Sequence, residues 1–190
     1  MGGIHTHPDY GRIKLNIDTM QPALVVMARS TGKILQRCEP SHHQLSCHHL
    51  DVSPEGIVIA GYQFEGPAWE APPLMARLDT NTGDFSEIRL SDTAQATLAN
   101  YTASVAISQV SPLCAVTAPR GNKVVLLDYV SAQVVQVVDV IDAGGVLAEP
   151  DGHFIVSSGN GGLYRLNAKE QQAWQIANHP LQWDNHLTQV

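Results

Sequence analysis

The stretch LMARLDTNTGDFSEIRL, residues 74–90, decides the fold: two segments with apolar alternation flank the turn Asn81-Thr82-Gly83. Alternation with a period of two is typical of a strand, and the Asn-Thr-Gly junction is typical of a tight turn, so the stretch predicts a β-hairpin. The pattern recurs at residues 24–38 (LVVMARSTGKILQRC), 124–140 (VVLLDYVSAQVVQVVDV) and 163–177 (LYRLNAKEQQAWQIA). The chain therefore contains an internal repeat.

A second strand pair precedes three of these hairpins, as HHLDVSPEGIVIAGYQ from His48, SVAISQVSPLCAVTAP from Ser104 and GVLAEPDGHFIVSSGN from Gly145. Each unit then has four strands and recurs about every 40–55 residues, which is the period of a propeller blade. The predicted fold is an all-β β-propeller of the WD40 or quinoprotein type, with about three and a half to four four-stranded blades. The blade units are predicted at residues 1–40, 41–91, 100–141 and 142–178, with a closing strand at 183–190.

The two ends of the chain predict an incomplete ring. With strands a to d counted outward from the axis, residues 2–7 are expected to form a strand b, and residues 183–190 align with a strand a. Either the chain closes on itself as about four blades, or self-association or a partner chain completes the ring. We favour the second, because four-bladed rings are uncommon and Met1 precedes what looks like the middle of a blade. The isolated chain is expected to associate, since its uncovered blade faces would expose a large apolar patch.

Composition excludes several partners. The 190 residues carry a net charge of -7 with only 11 Lys and Arg, which argues against nucleic acid and acidic membrane surfaces. No apolar run has the length of a membrane-spanning helix, and the N-terminus does not resemble a secretion signal, so the chain as given is expected in the cytoplasm. The three cysteines are expected to be buried; a Cys38–Cys47 bridge is the alternative.

The unusual polar residues fall on one face of the predicted propeller. Loops b-to-c and d-to-a open on the same face, which we call the mouth, whereas the opposite face receives ordinary turns. A ligand-binding mouth is therefore predicted. Its candidate residues are Arg12, Asp18, His43, Gln44, Gln63, Arg120, Ser157, Ser158, Trp183, Asp184 and Asn185.

A metal site is one hypothesis for the mouth. His5 and His7 point to the same side of an extended segment, because side chains at i and i+2 of a strand do so. With Asp9 and His186 they would suit a divalent transition metal, Fe or Mn. The alternative is that these histidines cap loops and hold neighbouring blades in register.

Two further motifs have two interpretations each. Arg120 lies in the tight loop Pro-Arg-Gly-Asn and would bind a carboxylate bidentately, or form an ordinary salt bridge to Asp142 or Glu65. The segment WDNH, residues 183–186, is either a blade-locking cluster or an acid-base pair. No catalytic residue is assigned.

The stretch GGIHTHPDYGRIKLNIDTMQP, residues 2–22, resembles the signature of a bacterial family, domain of unknown function 1513. Further similarity lies in HHQLSCHHL at 42–50, TAPRGN at 117–122, SSGNGG at 157–162 and WDNH at 183–186. The resemblance implies the C-terminal half of a seven-bladed propeller. It also implies a periplasmic location for the full-length family, which typically has a twin-arginine signal, and an association with iron uptake.

Two functions of different classes follow. The first is a non-catalytic binding or scaffold propeller linked to iron or metal handling, which the absence of a catalytic motif favours. The second is a metal-dependent lyase or oxidoreductase that uses a His/Asp site in the mouth.

Overall fold

The computed structural model describes residues 1–11, 13–170 and 172–188. Within them the chain forms fourteen β-strands and one short α-helix, α1 (Asp92–Thr97). The strands are β1 (Leu24–Met27), β2 (Ile34–Cys38), β3 (Leu45–Val52), β4 (Ile57–Phe64), β5 (Met75–Asp79), β6 (Phe85–Ile88), β7 (Val105–Ile107), β8 (Leu113–Ala118), β9 (Lys123–Asp128), β10 (Gln133–Asp139), β11 (Ala143–Ala148), β12 (Phe154–Ser158), β13 (Gly162–Leu166) and β14 (Trp174–Asn178). Single 3-10 turns are formed by Pro8–Tyr10, Ile17–Thr19 and Pro119–Gly121.

The strands form one two-stranded and three four-stranded antiparallel sheets, each a meander. We number them blade 1 (β1-β2), blade 2 (β3 to β6), blade 3 (β7 to β10) and blade 4 (β11 to β14). Neighbouring blades meet through their first strands, since β7 contacts both β3 and β11. The predicted all-β propeller of about three and a half blades is confirmed.

The core lies between the blades. All eight residues of β4 are buried, because blades 1 and 3 cover both faces of blade 2. Between blades 3 and 4 the core includes Leu126 and Phe154, both fully buried. Burying such a side chain contributes about 1.5–3 kcal/mol. Strand β14, by contrast, is mostly exposed, because nothing covers the edge of blade 4 in the described residues.

The blades are joined near the axis by a recurring contact, which we call the inter-blade joint. In it a hydroxyl beside one blade donates to a backbone carbonyl of its neighbour: Thr102 Oγ1 to Tyr62 O at 2.8 Å, and Thr117 Oγ1 to Gly144 O at 2.6 Å. The hydroxyls are buried, so each joint satisfies a carbonyl that water cannot reach.

The same joint occurs at both ends of the chain. Ser46 Oγ donates to Gly2 O at 2.8 Å, and Ser157 Oγ donates to Asp184 O at 3.3 Å. The segment at Gly2 therefore lies beside the first strand of blade 2, as a strand b of blade 1 would. Asp184 lies beside β12, as Gly144 lies beside β8.

Neither end segment is a regular strand, which corrects the prediction for residues 2–7. Only Met1 exchanges backbone hydrogen bonds with Ala23, at 2.8 and 3.1 Å. Gly3 has a φ of 74° and turns the chain away from β1, so pairing stops there. Residues 183–188 likewise form no strand, and Gln189 and Val190 lie outside the described residues.

Cys38, Cys47 and Cys114 are free thiols and all are buried, so the alternative Cys38–Cys47 bridge is not formed. Burial raises the pKa of each thiol, most strongly for Cys114. Among the described residues, no helix is both long and apolar enough to cross a membrane.

Candidate functional site

Three mouth loops converge on one cavity, which we call the inter-blade pocket. They are the loop before β7, the loop between β10 and β11, and the segment after β14. The pocket has a volume of about 220 Å³ and lies between blades 3 and 4. Its principal side chains are Tyr101, Asp142, Trp183, Asp184 and Asn185.

Local backbone contacts fix the walls of this pocket. Trp183 donates its indole Nε1–H to Gly161 O at 3.1 Å, and the ring of His179 meets it edge-on at 5.8 Å. Asp142 has a left-handed φ of 49°, and its backbone N–H donates to Asn122 Oδ1 at 2.8 Å. The carboxylate of Asp142 packs on Gly159, where a Cβ would overlap it. The pocket is thus built by residues held in place before any ligand arrives.

The segment 184–186 reaches across the axis to blade 2. Asn185 Nδ2 lies 3.5 Å from His49 Nε2, and the rings of His49 and His186 are 5.1 Å apart. Burial, followed by repulsion from His186 and His48, lowers the pKa of His49. Asp184 Oδ1 accepts from the backbone N–H of Asn185 at 2.7 Å, and no hydrogen bond joins Asp184 to His186 in the described residues. These contacts favour the blade-locking interpretation.

Four mouth candidates are buried and bind the framework. Ser157 Oγ accepts from Gly145 N in addition to its joint with Asp184, and Ser158 Oγ donates to Ile141 O at 2.7 Å. Gln63 Nε2 donates to Thr102 O, and Gln44 Nε2 donates to Ile17 O. Each of the four therefore makes at least one hydrogen bond to the framework, which holds its side chain in place.

The metal candidates are not assembled as one site. His7 Nδ1 accepts from Asp9 N at 3.3 Å and lies 3.5 Å from Asp9 Oδ2, which is a loop cap. His5 is exposed, and His186 contacts His49 instead. In the part of the chain that the structure describes, no three His, Cys, Asp or Glu residues form a group able to hold a metal ion.

His43 and Asp18 lie near the N-terminal segment. His43 stacks on His42 with centroids 4.9 Å apart and lines a cavity of about 510 Å³ with Met20 and Glu39. Asp18 is exposed on a 3-10 turn, and Arg12 lies outside the described residues.

Arg120 forms neither of the salt bridges that were the alternative to ligand binding. Glu65 pairs with Lys14 instead, and no ion pair joins Arg120 to Asp142 or to any other described carboxylate. The guanidinium of Arg120 lies over the ring of Tyr101, with its carbon 4.2 Å from the ring centroid. Such stacking holds the cation without neutralising it.

The sequence analysis missed Trp69 as a mouth residue. Trp69 is 85% exposed in the loop between β4 and β5, where it lines a second mouth cavity. The signal was present in the stretch GPAWEAPP, residues 66–73, because a tryptophan among Pro and Ala cannot belong to an alternating strand.

Solved structures share the fold. The WD40 repeats of RRP9 match 86% of this chain at a TM-score of 0.64 and 10% identity, and Sqt1 from Saccharomyces cerevisiae matches 92% at 0.62 and 18%. Hydrazine synthase from Kuenenia stuttgartiensis matches 73% at 0.58 and 13%. The chain spans 47%, 48% and 37% of those chains, respectively, which is half of their length or less.

Sequence comparison gives one family. The model of the family described as "Protein of unknown function (DUF1513)" matches residues 1–190, the whole chain. No curated protein matches the sequence.

Proposed function

Because the chain belongs to the DUF1513 family and forms part of a β-propeller, we propose that it is a non-catalytic binding domain that holds its ligands at the mouth. The observation that supports this proposal is the inter-blade pocket, in which three separate loops place aromatic, carboxylate and amide side chains around one cavity. Polar groups that converge on one concave site are typical of small-molecule sites.

The contact between Ser46 and His48 does not indicate a catalytic site. Ser46 Oγ lies 2.9 Å from His48 Nε2, which is the spacing of a nucleophile and its base. Ser46, however, is fully buried, and its hydroxyl donates to Gly2 O in the inter-blade joint. A substrate has no access to that oxygen, so the contact is structural.

The proposal is tested by mapping fragment binding on the ¹⁵N-labelled chain with two-dimensional NMR. Shift changes are expected at Tyr101, Asp142 and Asn185. A Trp183→Phe variant should weaken those changes by removing part of the wall and the indole donor. The cavity around Val110 and His153, on the opposite face, is the internal control. Fragment binding that concentrates there would overturn the assignment to the mouth.

We extend the proposal to iron or metal handling on the basis of the family resemblance alone. Metal analysis after growth with iron and manganese is the measurement. One stoichiometric metal ion in the wild type, lost in His5→Ala/His7→Ala, is the expected result. If the protein contains no metal after growth with iron and manganese, the proposal of iron or metal handling is wrong. The proposal of a non-catalytic binding domain is unaffected by that result. No contact among the described residues favours the metal-dependent enzyme.

For the full-length family we propose a periplasmic location, as half of a seven-bladed ring whose remainder comes from the same or another chain. The chain's coverage of about half of the WD40 structures is consistent with that ring. Fractionation of cells that express the full-length protein tests the location. Recovery with cytoplasmic markers alone would contradict it.

A further inference from the structure

Arg120 is a cation on an acidic protein, and none of the described carboxylates pairs with it. The net charge is -7, and two other cations on the mouth loops are paired, Lys14 with Glu65 and Arg89 with Asp92. Arg120 is exposed and makes no hydrogen bond within the described chain. Its donors are therefore free for an external acceptor, since a guanidinium stays charged and accepts nothing.

The position of this guanidinium is set by the fold. Pro119–Gly121 is a 3-10 turn that ends at Asn122 in the left-handed conformation, with a φ of 55°. Gly121 packs on the carbonyl of Thr97 at the end of α1, where a Cβ would overlap the oxygen. The turn therefore packs against α1, and the ring of Tyr101 packs against one face of the Arg120 guanidinium. One face of the planar group is covered, while its in-plane N–H edges remain available.

Arg120 also lines the second mouth cavity, which we call the Trp69 cavity. It has a volume of about 410 Å³, and its lining includes Trp69, Glu70, Ala96, Ala99, Asn100 and Arg120. Asn100 Nδ2 donates to Glu70 O at 2.7 Å, which ties the Trp69 loop to the chain that follows α1. The Glu70 carboxylate lies 3.7 Å from His42 Nε2 and forms no ion pair with Arg120 within the described residues.

We propose that the Trp69 cavity binds a small organic carboxylate, with its carboxylate on Arg120 and its apolar body against Trp69. Charge complementarity carries the assignment: a guanidinium without a partner forms two parallel N–H···O bonds with a carboxylate, and the alanine and tryptophan walls suit an aromatic or aliphatic body. This inference rests on the proposed function and deepens it by naming a ligand class. Because the cavity volume is that of a small-molecule site, the occupant is a free small acid.

The test uses 4-fluorobenzoate as the probe and 4-fluorobenzamide as its neutral match, followed by ¹⁹F NMR titration of the full chain. The benzoate should bind at least about tenfold more tightly than the benzamide, because charge-assisted hydrogen bonds to a carboxylate contribute more than neutral ones. Arg120→Gln should abolish that preference. Arg29→Gln, at an exposed arginine on the β1-β2 turn, is the matched control and should keep it.

A second variant separates the two parts of the site. Trp69→Ala should weaken benzoate and benzamide by a similar factor, because it removes the shared apolar wall and leaves Arg120 in place. Equal affinity for the two probes in the wild type, no measurable benzoate binding, or an Arg120→Gln variant that binds as the wild type does would each overturn the inference. Fragment binding at the inter-blade pocket would survive all of these results, so failure here is distinct from failure of the proposed function.

Discussion

Thr117 Oγ1 donates to the carbonyl of Gly144 at 2.6 Å, and the same hydroxyl accepts from the backbone N–H of Ser104 at 2.9 Å. One buried side chain thus joins the second strand of blade 3 to the first strands of blades 3 and 4. The three groups form an inter-blade joint that the pattern of strands does not predict, because the partners are 13 and 27 residues away.

Replacing this hydroxyl should destabilise the propeller. Thr117→Val keeps the shape of the side chain but leaves a buried N–H and a buried carbonyl without partners. We expect the free energy of unfolding to fall by about 1–3 kcal/mol in a urea titration. Thr97→Val is the matched control: that hydroxyl also donates to a carbonyl, Ala94 O at 2.7 Å, but it is exposed and should change stability by less than about 0.5 kcal/mol. Equal losses would contradict the role of the joint.

Gly161→Ala should be more damaging than an equivalent change in an open turn. Gly161 has a φ of 91°, and an added Cβ would overlap the backbone carbonyl of His179, which cannot move aside cheaply. Gly32→Ala is the control, because its φ is 68° but nothing surrounds it. We expect Gly32→Ala to lower the free energy of unfolding by about 1–2 kcal/mol because of backbone strain, and Gly161→Ala to lower it by more.

The measurement is again urea unfolding, with the environment of Trp183 followed by near-ultraviolet circular dichroism. Gly161→Ala should also alter that signal, because Gly161 O accepts the Trp183 indole N–H. If Gly161→Ala lowered the free energy of unfolding by no more than Gly32→Ala does, the close contact between Gly161 and the carbonyl of His179 would be contradicted.

Stability should depend on pH through His49. Its pKa is lowered in the folded chain from 6.5, first by burial and then by His186 and His48. The unfolded chain therefore binds the proton more readily, so the free energy of unfolding is at its full value above about pH 6.5 and decreases as the pH falls below it. His49→Gln should reduce the difference in stability between about pH 7.5 and pH 5.5.

Arg29→Gln, at an exposed residue that does not titrate in this range, is the control and should leave the pH dependence as it is in the wild type. Because burial likewise lowers the pKa of His48, some dependence should remain in His49→Gln. If the free energy of unfolding of His49→Gln depended on pH as it does in the wild type, His49 would be ruled out as a source of that dependence.

Both end faces of the partial ring expose apolar side chains, so we expect the chain to associate with itself. Met27 on blade 1 is 54% exposed, and so is Trp174 on blade 4. Light scattering at micromolar concentration should show an assembly larger than a monomer, and Met27→Glu or Trp174→Glu should dissociate it. Trp69→Glu, at the mouth, is the control and should not. A monodisperse wild-type monomer would contradict the prediction.

The sequence was most informative where structure is local. The hairpin at 74–90 appears as β5 and β6, and the pair that begins at His48 appears as β3 and β4, because alternation and turn residues act within a few positions. It was less informative where one residue changes the path of the chain. The predicted strand at residues 2–7 is absent, since the positive φ of Gly3 turns the chain away from β1.

For the candidate site, the sequence assigned residues to the mouth loops but did not predict their partners, and it did not single out Trp69. Trp183, Asp184 and Asn185 do share a pocket, whereas Ser157 and Ser158 are used for framework contacts, and His186 lies with His49 rather than His7. A side chain on a loop can have more than one possible partner, and the distances between blades decide which one it contacts. Those distances follow from packing, which no local sequence pattern encodes.

The sequence by itself therefore determined the repeating four-stranded unit and the all-β class, because both depend on periodicity and on turn residues within one blade. The motifs at residues 2–22 and 183–186 carried the resemblance to the family. Only the tertiary structure decided that Arg120 stacks on Tyr101 instead of pairing with Asp142 or Glu65, and that Trp69 borders it. Those residues come from different loops, and they meet because stacked blades bring distant parts of the chain to one face.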